Sequence, residues 1–64
     1  MRLIKLRTVM DKTGMAKSTI YKYMEAGEFP ENVKLTTRSV AWVEPEIDEW
    51  IIRRFSNGRL EYIH

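Results

Sequence analysis

Two lysines and three hydroxyls fall within six consecutive residues: Lys17, Ser18, Thr19, Tyr21 and Lys22. Lysine donates to phosphate oxygens or to guanine O6 and N7, and Ser, Thr and Tyr hydroxyls bond bases or phosphates. A second group follows at Lys34, Thr36, Thr37, Arg38 and Ser39, with a long cation set among hydroxyls. Lys5, Arg7 and Arg53 are further cations suited to phosphate contact. This is the chemistry of polyanion recognition. Catalysis has much less to work with. There is no cysteine, the lone histidine is His64, and no glycine-rich phosphate loop is present. Glu44 and Glu46 form a carboxylate pair on paper, but no nucleophile or metal-ligating group accompanies them. The chain is therefore expected to be no enzyme, with no cofactor, no metal and no small-molecule substrate.

Each residue alone is weak evidence, since a surface lysine is usually just solvated and Tyr21 equally suits the edge of a core. The charge distribution adds weight. Residues 1–38 carry eight Lys/Arg against four acids, while residues 39–64 carry three against five. The net +2 thus conceals a basic half of +4 and an acidic half of −2. A basic half on a small domain suits a polyanion partner.

The elements that position these residues must fit in 64 residues, enough for one small domain. A chain of this size buries only ~60% of the surface its unfolded form exposes. With 44% hydrophobic and 31% charged residues it reads as globular. The start, Met1-Arg2-Leu3-Ile4-Lys5, is charged and no apolar leader region follows it. Apolar runs stay far short of the ~20 residues of a membrane span, so a cytoplasmic location without membrane contact is expected.

Leu6, Val9 and Met10 recur at helical spacing, which predicts a short helix near residues 6–13 ended by Gly14. Ala16, Ile20, Tyr23 and Met24 share one face of a second helix, closed by Gly27. Two short helices about a glycine have the spacing of a helix-turn-helix. Phe29-Pro30 breaks the helical pattern. Val33–Thr36 and Val40–Val43 then alternate as strands about the loop Thr37-Arg38-Ser39, which predicts a hairpin. A third helix should begin near Pro45, with Glu44, Glu46, Asp48 and Glu49 at the positive end of its dipole. Ile47, Trp50, Ile51 and Phe55 would form its buried stripe, and Ser56-Asn57-Gly58 would end it. The order helix, turn, helix, hairpin, helix describes an α+β, mainly α, winged helix-turn-helix over residues 1–55. Residues 56–64 form an unassigned tail. In such a fold the second helix can enter a major groove while the hairpin wing touches adjacent backbone or minor groove.

Leu6…Val9, Thr13-Gly14-Met15, Ser18-Thr19-Ile20-Tyr21, Phe29-Pro30, Val33-Lys34-Leu35, Arg38-Ser39-Val40, Trp42, Glu46-Ile47 and Trp50-Ile51 occur in the order that resembles the AlpA family of small phage and prophage regulators. The resemblance covers roughly residues 3–54 and rests on the whole set, above all Phe-Pro before the hairpin and the two tryptophans. It implies kinship with MerR-like winged helices and phage excisionases. It also implies a bacterial mobile element, with a role at integrase promoters as a transcriptional regulator or at attachment sites as a recombination directionality factor. By the same resemblance, the recognition signature falls on Ser18, Thr19, Tyr21 and Lys22, and the wing on Lys34 to Val40. One departure stands out: the family usually has a serine at Ala16, where its hydroxyl caps the recognition helix.

The expected partners are therefore double-stranded DNA at promoter or attachment-site repeats, further copies of the chain at adjacent sites, and an integrase. The rival reading is a protein-interaction module that recruits integrase or RNA polymerase and touches DNA little. Its contact surfaces would be the acidic third helix and the segment Arg59–His64, with Leu60, Tyr62 and Ile63.

Overall fold

A computed structural model describes the backbone of residues 2–62 and the side chains of residues 2–55. The elements run β1 (Leu3–Ile4), α1 (Leu6–Thr13), α2 (Lys17–Glu25), β2 (Val33–Lys34), β3 (Val40–Val43) and α3 (Glu44–Tyr62). The arrangement is a mainly helical winged helix whose antiparallel sheet has the order β1-β3-β2.

Both short helices end as their glycines demand. Gly14 takes φ 71° and its N–H bonds the Met10 carbonyl at 2.8 Å, the single-bond left-handed stop. After α2, Gly27 at φ 74° completes a Schellman motif, with Glu28 N–H on Tyr23 O and Gly27 N–H on Met24 O. Gly14, Met15 and Ala16 are thus all that separates α1 from α2. Ala16 holds extended N-cap geometry with no side-chain cap bond, so the absence of a serine there leaves the cap unfilled. Ile20 belongs to the core and half-buried Met15 packs against it; these are the two staple positions that flank the cap and guide the chain into α2.

The core is Ile4, Val9, Ile20, Phe29, Trp42 and Ile47, one residue from each element except β2, with Phe29 from the loop after α2. Trp42 is fully buried, and its indole N–H donates to Pro30 O at 3.1 Å. Trp50 donates likewise to Glu28 O at 2.8 Å, and its ring meets Phe29 edge-on at 4.8 Å between centroids. The two tryptophans therefore pin the Phe29-Pro30 loop between α2 and the sheet. An indole needs such a partner when buried, because an unmade bond there costs about 1–3 kcal/mol.

Three details differ from the sequence expectation. First, the wing gains a third strand: β1 pairs with β3 in the register Leu3 opposite Val43 and Ile4 opposite Trp42. Strand β3 is therefore central, with α1 and α3 packed on it, and its neighbouring residues Ala41 and Trp42 are both buried where alternation predicts only one. Second, β2 is only Val33–Lys34, paired with Ala41 and Val40, and Leu35 and Thr36 lie in the loop. Val33 and Leu35 are exposed because α1 and α3 pack on β3 and leave the edge strand uncovered. Third, α3 runs through Ser56-Asn57-Gly58 to Tyr62. Those residues lower helix propensity by at most about 1 kcal/mol each, but none removes a backbone donor as proline would. Phe55 is exposed rather than in the stripe, while Ile47 is buried and Trp50 and Ile51 half-buried. The side chains of Arg59–His64 lie outside the described residues.

Candidate nucleic-acid interface

On α2, Lys17, Ser18 and Lys22 are exposed, while Thr19 and Tyr21 are half-buried. Tyr21 meets the buried Trp42 ring edge-on, with centroids 6.2 Å apart. It therefore serves both readings, closing the core and presenting a polar edge. Ser18, Tyr21 and Lys22 line one surface depression together with Glu25. Tyr21 and Glu25 also line the next, with Met24, Glu31, Asn32 and Lys34, so these two residues join the surface of α2 to that of β2. Thr19 borders neither depression.

The wing tip is a tight turn. Leu35 and Thr36 N–H both donate to Ser39 O, at 2.8 and 3.1 Å, and Arg38 N–H donates to Thr36 Oγ1 at 3.2 Å. The hydroxyl-rich composition thus has a structural use, and Thr36, Thr37 and Arg38 remain exposed at the tip. Lys5 Nζ donates to Ser39 Oγ, which draws a cation from the chain start to the wing. Sequence spacing does not reveal that contact, since 34 residues separate the pair.

The other cations divide sharply. Lys12 lies 2.6 Å from Asp48 and 2.9 Å from Glu44, which join α1 to the first turns of α3. The hydrogen bond to Asp48, then that to Glu44, hold its ammonium above the ordinary value of 10.5. Arg2 approaches the same Glu44 at 4.0 Å. Arg7 pairs with Asp11 at 3.6 Å and Arg53 with Glu49 at 2.7 Å, each one helical turn away. Arg7 and Arg53, the two outlying phosphate candidates, thus already have carboxylate neighbours. Among the described residues, Lys5, Lys17, Lys22, Lys34 and Arg38 have no carboxylate within 4.0 Å.

Residue type and spacing do not single out Arg54. Its guanidinium carbon lies 5.0 Å from the Tyr23 ring centroid and 5.3 Å from that of Trp50, and it donates to the Tyr23 hydroxyl at 3.1 Å. A cation stacked on two rings holds the inner side of α2 against α3. The one hint in the sequence is that Trp50 and Arg54 stand one turn apart on a helix. Among the described residues no group of three or more His, Cys, Asp or Glu side chains converges as a metal site, and no helix is long and apolar enough to cross a membrane.

Comparison with known proteins gives this arrangement a family. The chain is 41% identical over 59 residues to the DNA-binding transcriptional activator AlpA of Escherichia coli (strain K12), covering 83% of this chain and 84% of that protein. It is 34% identical over 61 residues to the uncharacterized protein ORF88 of Enterobacteria phage P4, covering 95% and 69% respectively. Residues 2–55, from the strand ahead of α1 to the exposed Phe55 of α3, match the family described as prophage CP4-57 regulatory protein (AlpA). The chain belongs to the AlpA family of prophage regulatory proteins.

Proposed function

We propose that this chain is a sequence-specific double-stranded DNA-binding regulator in which α2 enters the major groove and the wing lies along the flanking backbone or minor groove. The observation that carries this reading is the segregation of charge. Among the described residues six cations have no carboxylate within 4.0 Å: Lys17 and Lys22 on α2, Lys34 and Arg38 on the wing, Lys5 bonded to it, and Arg54, which is instead stacked on the Tyr23 and Trp50 rings. Ser18, Thr19, Tyr21, Thr36, Thr37 and Ser39 supply hydroxyls among them, and residues 1–55 form the binding unit. The relative from Escherichia coli is named a DNA-binding transcriptional activator, which supports the same assignment and a cytoplasmic site of action. One module of this size offers little area to DNA, so copies at adjacent sites and an integrase are its natural partners.

Promoter control and excision share this DNA face. Footprinting on the neighbouring integrase promoter and attachment arm separates them: protection at the promoter alone marks a regulator, and phased protection along the arm marks a recombination directionality factor. The DNA face itself is tested by Lys22→Ala and Arg38→Ala. Each should weaken binding by about tenfold, and each substitution that removes a cation from a phosphate should flatten the salt dependence by about one unit of log–log slope. The melting temperature should hardly move. Unchanged affinity in both variants would remove α2 and the wing as the reading surface.

A further inference from the structure

Beside β2, sharing only Glu31 with the depression that Tyr21 and Lys34 line, lies an open groove with an apolar floor and an acidic rim. Phe29, Val33, Val43 and Trp50 supply the floor. Glu28, Glu31, Glu46 and Glu49 supply the rim, and its one cation, Arg53, is already paired with Glu49 at 2.7 Å. Val33 is 41% exposed, so the floor reaches solvent through a branched aliphatic side chain on an uncovered edge strand. Four carboxylates against one arginine on a chain of net charge +2 make this the counterpart of the cationic face. We infer that this groove docks a basic peptide segment of another protein, an apolar or aromatic side chain seated between lysines or arginines.

Charge complementarity selects that occupant. An apolar anchor would cover Val33 and the exposed edge of Trp50, while flanking cations would meet Glu28, Glu31 and Glu46. A second copy of this chain is a poorer match. Among the described residues its carboxylate-free cations are those of α2, the wing and Lys5, which the DNA reading engages, and Arg54, which is held on the Tyr23 and Trp50 rings, while its Arg2 and Arg7 already face acids. Nucleic acid is repelled by the same rim. Glu46 and Glu31 are exposed, so the electrostatics can be reversed without disturbing the core.

The test uses the intact chain without DNA, which keeps it separate from the DNA-binding reading. The probe is a fluorescein-labelled peptide, Arg-Arg-Trp-Arg-Arg, followed by anisotropy, with Arg-Arg-Gly-Arg-Arg as its control. The tryptophan peptide should bind and shift the Trp50 indole N–H resonance. Glu31→Lys/Glu46→Lys should weaken it by about tenfold or more, as expected for charge reversal at an interface rim. Val33→Ser, which removes apolar surface without adding charge, should weaken the tryptophan peptide while leaving the glycine control unchanged. Equal binding of the two peptides, or equal binding by wild type and the charge-reversed variant, overturns the proposal. So does sedimentation showing a wild-type dimer that the charge reversal abolishes, because the groove's occupant would then be a second copy.

Discussion

Along the seam between α1 and α3, Lys12 lies 2.6 Å from Asp48 and 2.9 Å from Glu44, and Arg2 closes on the same Glu44. On α2 and the wing, Lys17, Lys22, Lys34 and Arg38 have no carboxylate within 4.0 Å among the described residues. The two regions draw on the same side chains. At the seam the cation is neutralised, and its field is spent on holding two helices together. On the α2–wing surface the field stays open to solvent and to a polyanion. The number of basic residues therefore overstates the cationic surface: of the eight cations in residues 1–38, Arg2, Arg7 and Lys12 are engaged by acids, and five remain. Those five are concentrated on two elements and the junction beside them.

The largest test removes what both regions share. Trp42 packs under Tyr21 of α2 and sits at the centre of the sheet, so Trp42→Ala should cost about 3–5 kcal/mol. A domain of this size seldom has more than about 3–5 kcal/mol in total. The variant should be largely unfolded by circular dichroism, with the seam and the cationic surface disrupted together. A cooperative melt near that of wild type would show that Trp42 does not tie them.

A smaller change sharpens the α2 side alone. Residue 16 already has N-cap backbone angles, φ −76° and ψ 159°, but no side-chain acceptor. Ala16→Ser should therefore stabilise the chain by about 0.5–2 kcal/mol, read from the urea midpoint. The seam should be unaffected. An unmoved or lowered midpoint would mean that residue 16 is not the cap.

The smallest effect belongs to the seam. The Lys12 pKa is raised above 10.5 by Asp48 and Glu44, so its contribution to stability is complete below that pH and fades as pH climbs through the folded value. Stability of wild type minus that of Lys12→Met should thus be small and positive below pH 10.5 and shrink above it. Added salt should reduce it, because the pair lies at the surface. A difference independent of both pH and salt would mean that Lys12 acts through packing of its aliphatic stem instead.

Helix positions are the most legible part of the fold. Gly14 and Gly27 stop helices where left-handed backbone is needed, and the spacing of Leu6, Val9 and Met10 leaves little choice of period. Strand length and the end of α3 are not legible. Val33-Lys34-Leu35-Thr36 alternates like a strand, but an edge with nothing over it keeps pairing only where β3 is opposite. Ser56-Asn57-Gly58 looks like a stop, but the helix continues because its backbone donors are intact. The residues proposed to contact DNA on α2 and the wing are chosen by type and spacing. Lys5 on Ser39 and Arg54 on Tyr23 cannot be, since each joins residues more than 30 positions apart.

The sequence by itself determined where α1 and α2 start and stop, where α3 begins, the family, and the supply of cations and hydroxyls, because these depend on backbone preference and local order. Only the tertiary structure decided which cations keep their charge unpaired, that Leu3–Ile4 completes the wing, and that an acid-rimmed groove lies beside β2. Coulombic and packing interactions act through distance in space, and folding brings Lys12 to Asp48 and Lys5 to Ser39 across most of the chain.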